Sequence, residues 1–303
     1  MEAGPIRDLL TLLLGLVTGV LSALFGIGGA IVSNPGLRAL GAAPLVAVGT
    51  TLPSILPGAI SGTLRYRREG LIDWRLVTPA AAAGLLAVVG GSLLSHAVPG
   101  EGHLLLLLIA VLLAFTAWRT AVTGQAAPAD LPPDRAGDDR EHPTPPSATL
   151  PLQGGSHRGV GFSRADPPAT AAAGPPTRLR WRVAAIGVAA GLLSGLLGIG
   201  GGVIMVPAFT ELLHLPLKSA IATSLVCVGI FGVPATITHA LLGDIDWRLA
   251  VLLTIAVVPG ARIGAALTIR TAERRLRLAI GCFLAIVALV YFITETRALL
   301  GEL

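Results

Sequence analysis

Two glycine-dense, strongly apolar phrases stand 172 positions apart: GVLSALFGIGGAIVSNP over residues 19–35 and GLLSGLLGIGGGVIMVP over residues 191–207. Glycine costs roughly 1 kcal/mol relative to alanine inside a helix. Gly26, Gly28 and Gly29, and then Gly198, Gly200, Gly201 and Gly202, therefore mark weak points in otherwise helical, apolar runs. Two readings are open. Small residues four apart, such as Gly191/Gly195 and Gly198/Gly202, let membrane helices pack closely. Adjacent glycines followed by Pro35 or Pro207 also break a helix, which is tolerated at membrane depth only where the backbone is buried or lines a cavity. A half-helix starting at such a break offers free N–H groups and the positive end of a dipole to an anion. Duplication at matching positions favours the break.

Other polar residues lie in the same runs. Thr50/Thr51 and Thr223/Ser224 fall in matching blocks, AVGTTL and ATSL preceded by Ala220-Ile221. Hydroxyls inside membrane helices commonly bond back to their own backbone, yet Thr51, Thr223 and Ser224 could also line a passage and donate to an anion. Asn34 beside Pro35 is a similar candidate, although its counterpart in the second copy is Val206. Arg262 sits within an apolar span, where a charge is costly and marks function by default; the alternative is snorkelling to the interface. His239, near the end of its segment, reads as interfacial. Asp73/Trp74 and Asp246/Trp247 read as helix caps and surface anchors.

No P-loop lysine, HExxH, paired catalytic carboxylates or nucleophile elbow occurs, so the sequence predicts neither an ATP-driven pump nor an enzyme, and no cofactor. Cys227 and Cys282 both lie in apolar runs, which argues against a disulfide or a zinc site.

The elements that must carry these residues follow from composition. The 303 residues are 53% hydrophobic and only 13% charged, about half the charged fraction of a soluble domain. This is an all-α polytopic membrane protein, with lipid bilayer as its solvent. Its basic residues are scattered between apolar runs and do not form the clustered face that nucleic-acid binding needs. Apolar stretches of spanning length fall at 9–33, 44–64, 76–98 and 103–120, then at 183–209, 216–241, 247–268 and 277–299. That predicts about eight transmembrane helices in two homologous repeats, with the glycine segments either crossing or re-entering.

Residues 1–122 form the first repeat and 181–303 the second. The stretch 123–180 between them is proline-rich, lacks apolar periodicity and reads as a disordered linker. GLIDWRL at 70–76 recurs as GDIDWRL at 243–249, so three blocks repeat in order. Repeated membrane units are a recurrent construction of secondary transporters.

Charge suggests orientation. Arg65, Arg67, Arg68 and Arg75, with the linker flanks, fit a cytoplasmic N-terminus and a cytoplasmic linker. A plain count of spans then puts Arg270, Arg274, Arg275 and Arg277 outside. A segment that dips in and returns would repair the count.

These motifs together resemble the TauE/SafE family of membrane transporters, the sulfite exporters. The resemblance implies an integral membrane protein of the cell membrane that moves a small anion, such as sulfite or a sulfonate, coupled to an ion gradient. Gly26–Gly29, Asn34, Thr51, Gly198–Gly202, Thr223, Ser224 and Arg262 are the candidate path residues. A non-transporting membrane scaffold or assembly subunit, and an anion channel, are the competing readings. A homo-oligomer is a further partner expectation.

Overall fold

The computed structural model describes residues 4–97, 107, 110–118 and 177–301. The expected linker, 123–180, lies outside the described residues except for 177–180, which are helical. Among the described residues all regular structure is helical: α1 (Pro5–Phe25), α2 (Ala30–Ala39), α3 (Pro44–Arg68), α4 (Trp74–Ala97), α5 (residues 110–118), α6 (Thr177–Leu197), α7 (Gly202–Leu212), α8 (Leu217–Leu242), α9 (Trp247–Arg270) and α10 (Glu273–Gly301). Seven of these are long and apolar enough to cross a membrane. The eighth expected span, 103–120, is described only in part.

Two spans read as continuous are each divided in two. The segment 9–33 becomes α1 and the start of α2, and 183–209 becomes α6 and most of α7. The cause is local. Gly26, Gly28 and Gly29 have φ of 69°, 94° and 75°, and their counterparts Gly198, Gly200 and Gly201 have 66°, 85° and 72°. Three left-handed residues in four cannot continue a right-handed helix, and residues with a Cβ rarely enter that region.

Packing between the helices uses glycine at close approach. Gly15, Gly19, Gly260 and Gly264 seat α1 against α9, with Gly15 beside Leu253, Gly19 beside Val257 and Gly264 beside Val20. The residue numbers rise together, so α1 and α9 are parallel. The same holds for α4 and α6, where Gly187 abuts Ala80, Gly191 abuts Gly84 and Gly195 abuts Val88. Helix α3 also runs with α9: Gly58 meets Val257 and Ser61 donates to the Val258 carbonyl at 2.7 Å. Against α8, however, α3 runs the other way, with Ala59 beside Gly229 and Gly62 beside Leu225.

These directions fix the topology. Helices α1, α3 and α9 point one way, and α4, α6 and α8 the other. The two copies of one sequence motif are therefore inverted with respect to each other, and each contributes a helix to the other's group.

Inversion also explains the arginines. Helices α1 and α3 start at the same face because α2 folds back along α1, with Gly36 against Leu14. The N-terminus and Arg65–Arg68 thus lie at opposite faces, which corrects the expectation that they share one. The end of α3, the starts of α4, α6, α8 and α10 and the end of α9 meet at a single face. That face collects Arg65, Arg67, Arg68, Arg75, Arg180, Arg182, Lys218, Arg270, Arg274, Arg275 and Arg277. The opposite face holds Arg7, Arg38 and Arg248, the last 2.6 Å from Asp8.

Large apolar side chains such as Ile6, Leu86, Leu241 and Ile286 face outward, as a lipid-facing surface requires. Helix caps match the expectation at Asp246, whose carboxylate accepts from the Leu249 N–H at 3.2 Å. Asp246→Ala removes this cap and is expected to cost about 1 kcal/mol, read as a lower melting temperature in detergent.

Candidate functional site

The two glycine breaks meet each other. A Cβ placed on Gly202 would sit 2.2 Å from the Gly26 carbonyl oxygen, and one on Gly28 would sit 2.9 Å from the Ile199 carbonyl oxygen. Gly28 and Gly200 both rest on the same Val228 side chain, at the middle of α8. The segments 26–30 and 198–202 therefore cross at the centre of the bundle, each entering from an opposite face. Ile27 and Ile199 between the glycines are buried. Of the two readings of the glycines, both hold: they break the helices, and they let the broken ends pack backbone to backbone.

Short helices leave the crossing in opposite directions. Gly29 is the N-cap of α2 and Gly201 the N-cap of α7. The first backbone N–H groups of a helix lack intrahelical acceptors, so two positive dipole ends converge here. Pro35 and Pro207 lie inside these helices and lack the N–H that would bond one turn back.

Hydroxyl groups surround the crossing. Ser224 donates to the Gly26 carbonyl at 2.9 Å and lies 3.1 Å from that of Ile221. Its counterpart Thr51 lies 2.9 Å from the Val48 carbonyl and 3.1 Å from Asn34 Oδ1. Asn34 is completely buried and its Nδ2 has no hydrogen-bond partner. Thr18 and Ser194, also buried, have unpartnered hydroxyls, and Thr18 touches Gly29 at the head of α2. Buried polar groups are normally satisfied; these three are not, and Thr18 lies at the head of α2.

The threonines one residue earlier do something the sequence reading missed. Thr223 accepts from the Asp73 N–H at 3.1 Å, and Thr50 accepts from the Asp246 N–H at 2.9 Å. Each repeated Thr block thus holds the IDWR turn of the other repeat, one at each face. The contacts join residues 150 and 196 apart in sequence. The signal for them was the repetition of both blocks in the same order.

Arg262 is not brought to this group. Ala261, Gly264 and Ala265 turn inward on α9, leaving Arg262 exposed beside the exposed Ile263. Its place fits the snorkelling alternative. His239 is corrected in the other direction: it is fully buried, with Nδ1 2.8 Å from Asp244 Oδ2 and Nε2 3.5 Å from the Gly195 carbonyl. Among the described residues no His, Cys, Asp and Glu cluster is suited to a metal ion.

Known proteins are similar to this chain in sequence. The chain is 27% identical over 276 residues to the probable membrane transporter protein YunE of Bacillus subtilis, covering 83% of each chain. It is 25% identical over 287 residues to a probable membrane transporter protein of Xylella fastidiosa, covering 94% of each. It is also 28% identical over 278 residues to the probable membrane transporter protein MamO of Magnetospirillum gryphiswaldense, covering 88% of this chain and 41% of that one. No solved structure matches. Residues 11–291 match the family described as sulfite exporter TauE/SafE, and with its paired glycine breaks and multi-span helical fold the chain belongs to that family.

Proposed function

We propose that the chain is a secondary transporter of a small sulfur-containing anion, such as sulfite or a sulfonate, driven by an ion gradient across the cell membrane. One observation carries the reading. Two inverted glycine breaks cross at the centre of the bundle and each starts a short helix, and Asn34 on the first of these helices has a buried, unpartnered amide nitrogen. Helix N-termini are ready anion sites, and inverted repeats with discontinuous helices are the architecture of alternating access. In this reading Gly26–Gly29 and Gly198–Gly202 supply backbone donors and Asn34 a side-chain one, while Thr51 and Ser224, whose hydroxyls already donate within the protein, line the path. Thr223, like Thr50, acts one step away by holding the opposite repeat.

Positive charge gathers at the face carrying Arg65–Arg68 and Arg270–Arg277. By the positive-inside bias that face is cytoplasmic, the linker with it, and the N-terminus lies outside. Residues 1–122 and 181–303 are the two functional repeats, joined by 123–180.

Binding tests the proposal without requiring flux. Sulfite at about 100 times its dissociation constant stabilises a protein by about 2.7 kcal/mol, so it is expected to raise the melting temperature of the detergent-purified protein, while chloride does so less. Asn34→Val installs the residue of the second repeat and deletes the unpartnered donor. Loss of one hydrogen bond to a charged ligand costs about 2 kcal/mol, so sulfite is expected to bind about thirtyfold more weakly. A scaffold without an anion site would show no anion-dependent shift in either protein.

A further inference from the structure

The repeats diverge at one buried position. Tyr66 on α3 and His239 on α8 are counterparts, and both side chains are fully buried. Tyr66 donates its hydroxyl to the Ala23 carbonyl at 2.5 Å, and His239 turns Nε2 toward the counterpart carbonyl, that of Gly195, at 3.5 Å. Tyrosine always carries the hydrogen that such a contact needs. Histidine carries it only when that nitrogen is protonated. Its other nitrogen, Nδ1, is 2.8 Å from the Asp244 carboxylate. Both ring nitrogens thus face oxygen acceptors. A neutral imidazole has one N–H and sets a lone pair against one of these oxygens; the imidazolium satisfies both. Asp244 has Leu71 as its counterpart, so this pair belongs to the second repeat alone.

We propose that His239 is the proton-binding site of the transporter, so that the ion whose gradient drives the anion is H⁺. This inference rests on the transport reading above and names its coupling ion. A proton from the aqueous phase adds to the imidazole lone pair, and no bond between heavy atoms forms or breaks. Protonated, the ring donates from both nitrogens, to the Asp244 carboxylate and to the Gly195 carbonyl.

In the protonated form Nε2–H donates to Gly195, three residues before Gly198, the first left-handed residue of the second break. The proton therefore ties α8 to the last turn of α6 and biases the segment that forms the crossing. Among the described residues, the charged groups at this end include Asp244, Asp246 with its carboxylate on the Leu249 N–H, Arg7, Arg38 and the exposed Asp8–Arg248 pair. The buried polar side chains on α4 and α6 include Ser92, Ser95 and Ser194.

Proteoliposomes carrying an internal pH dye separate the two readings. Wild-type protein should exchange labelled for unlabelled sulfite, and should also accumulate sulfite when a pH gradient is imposed, with a matching dye signal. His239→Tyr, which copies the first repeat, should keep exchange within about twofold while losing at least about tenfold of gradient-driven accumulation. Should that variant fail to fold, Asp244→Asn decides: it removes the carboxylate that faces Nδ1, so the pH midpoint of coupled uptake should move. An unchanged midpoint in that variant, or accumulation by His239→Tyr on a pH gradient, would overturn the proton site. Exchange by wild type that ignores the pH gradient would do the same and leave transport standing. Absence of any anion exchange by folded wild type would remove the transport reading itself.

Discussion

Gly202→Ala is expected to abolish sulfite flux and to leave little folded protein in detergent, whereas Ala30→Gly at the counterpart position is expected to stay close to wild type. The added methyl of Gly202→Ala would lie 2.2 Å from the Gly26 carbonyl oxygen and 2.7 Å from the Ile27 Cα. Both are backbone atoms of the other repeat's break, so neither can swing aside. Overpacking typically costs 1–3 kcal/mol and occasionally more. Here relief requires pulling the crossing apart, and about 3 kcal/mol is the expected scale. Ala30 already carries a Cβ at the head of α2. Its replacement loses helix propensity and one buried methyl, roughly 2 kcal/mol at most, and forces no backbone apart. Size-exclusion profiles and melting curves of the two variants check this directly. Equal behaviour would show that the two breaks do not press on each other.

Thr50→Val and Thr223→Val are expected to shift the transporter in opposite directions. Each removes the acceptor for one turn amide: Asp246 N–H at the face of the N-terminus, or Asp73 N–H at the arginine-rich face. In the alternating-access reading proposed above, opening a face breaks its contact, and both contacts are made in this structure. A neutral hydrogen bond contributes about 1 kcal/mol, with a further penalty for the orphaned amide. Losing one contact should therefore move the balance between the two open forms by about tenfold. Cysteines placed near each face should show it through membrane-impermeant labelling. Thr223→Val should raise labelling on the arginine-rich side and lower it on the other, and Thr50→Val the reverse. Labelling unchanged from wild type in both variants would show that these contacts only brace the fold.

Much of the fold was legible because glycine is expensive in helices. Six left-handed glycines in two matched sets explain the repeated phrase at 26–29 and 198–201, and the proline after each set belongs to the short returning helix. The direction of the second repeat was not legible, because a motif reads the same whichever way it is inserted. Only the misplaced arginines hinted at the return. Long-range pairing was hidden as well. Asp246 and Asp73 read locally as caps, and the Asp246 side chain is one, yet their backbone amides reach Thr50 and Thr223 in the other repeat.

Helix phase and neighbours decided the two charged candidates. Arg262 is central in its span but on the outward face of α9, while His239 is near a helix end but enclosed where α8 meets α6. Asn34 was found from its place beside Pro35. Its orphaned amide, and those of Thr18 and Ser194 as hydroxyls, could be seen only once the crossing was built.

The central claim is that a small sulfur anion passes the crossing of the two breaks. Uptake of labelled sulfite into proteoliposomes, compared between wild type and Asn34→Val, tests it most directly. The account predicts saturable uptake by wild type and a KM raised by about thirtyfold in the variant, with the variant folded as well as wild type. Folded wild-type protein that carries neither sulfite, thiosulfate nor sulfoacetate, or a variant with unchanged KM, would contradict it.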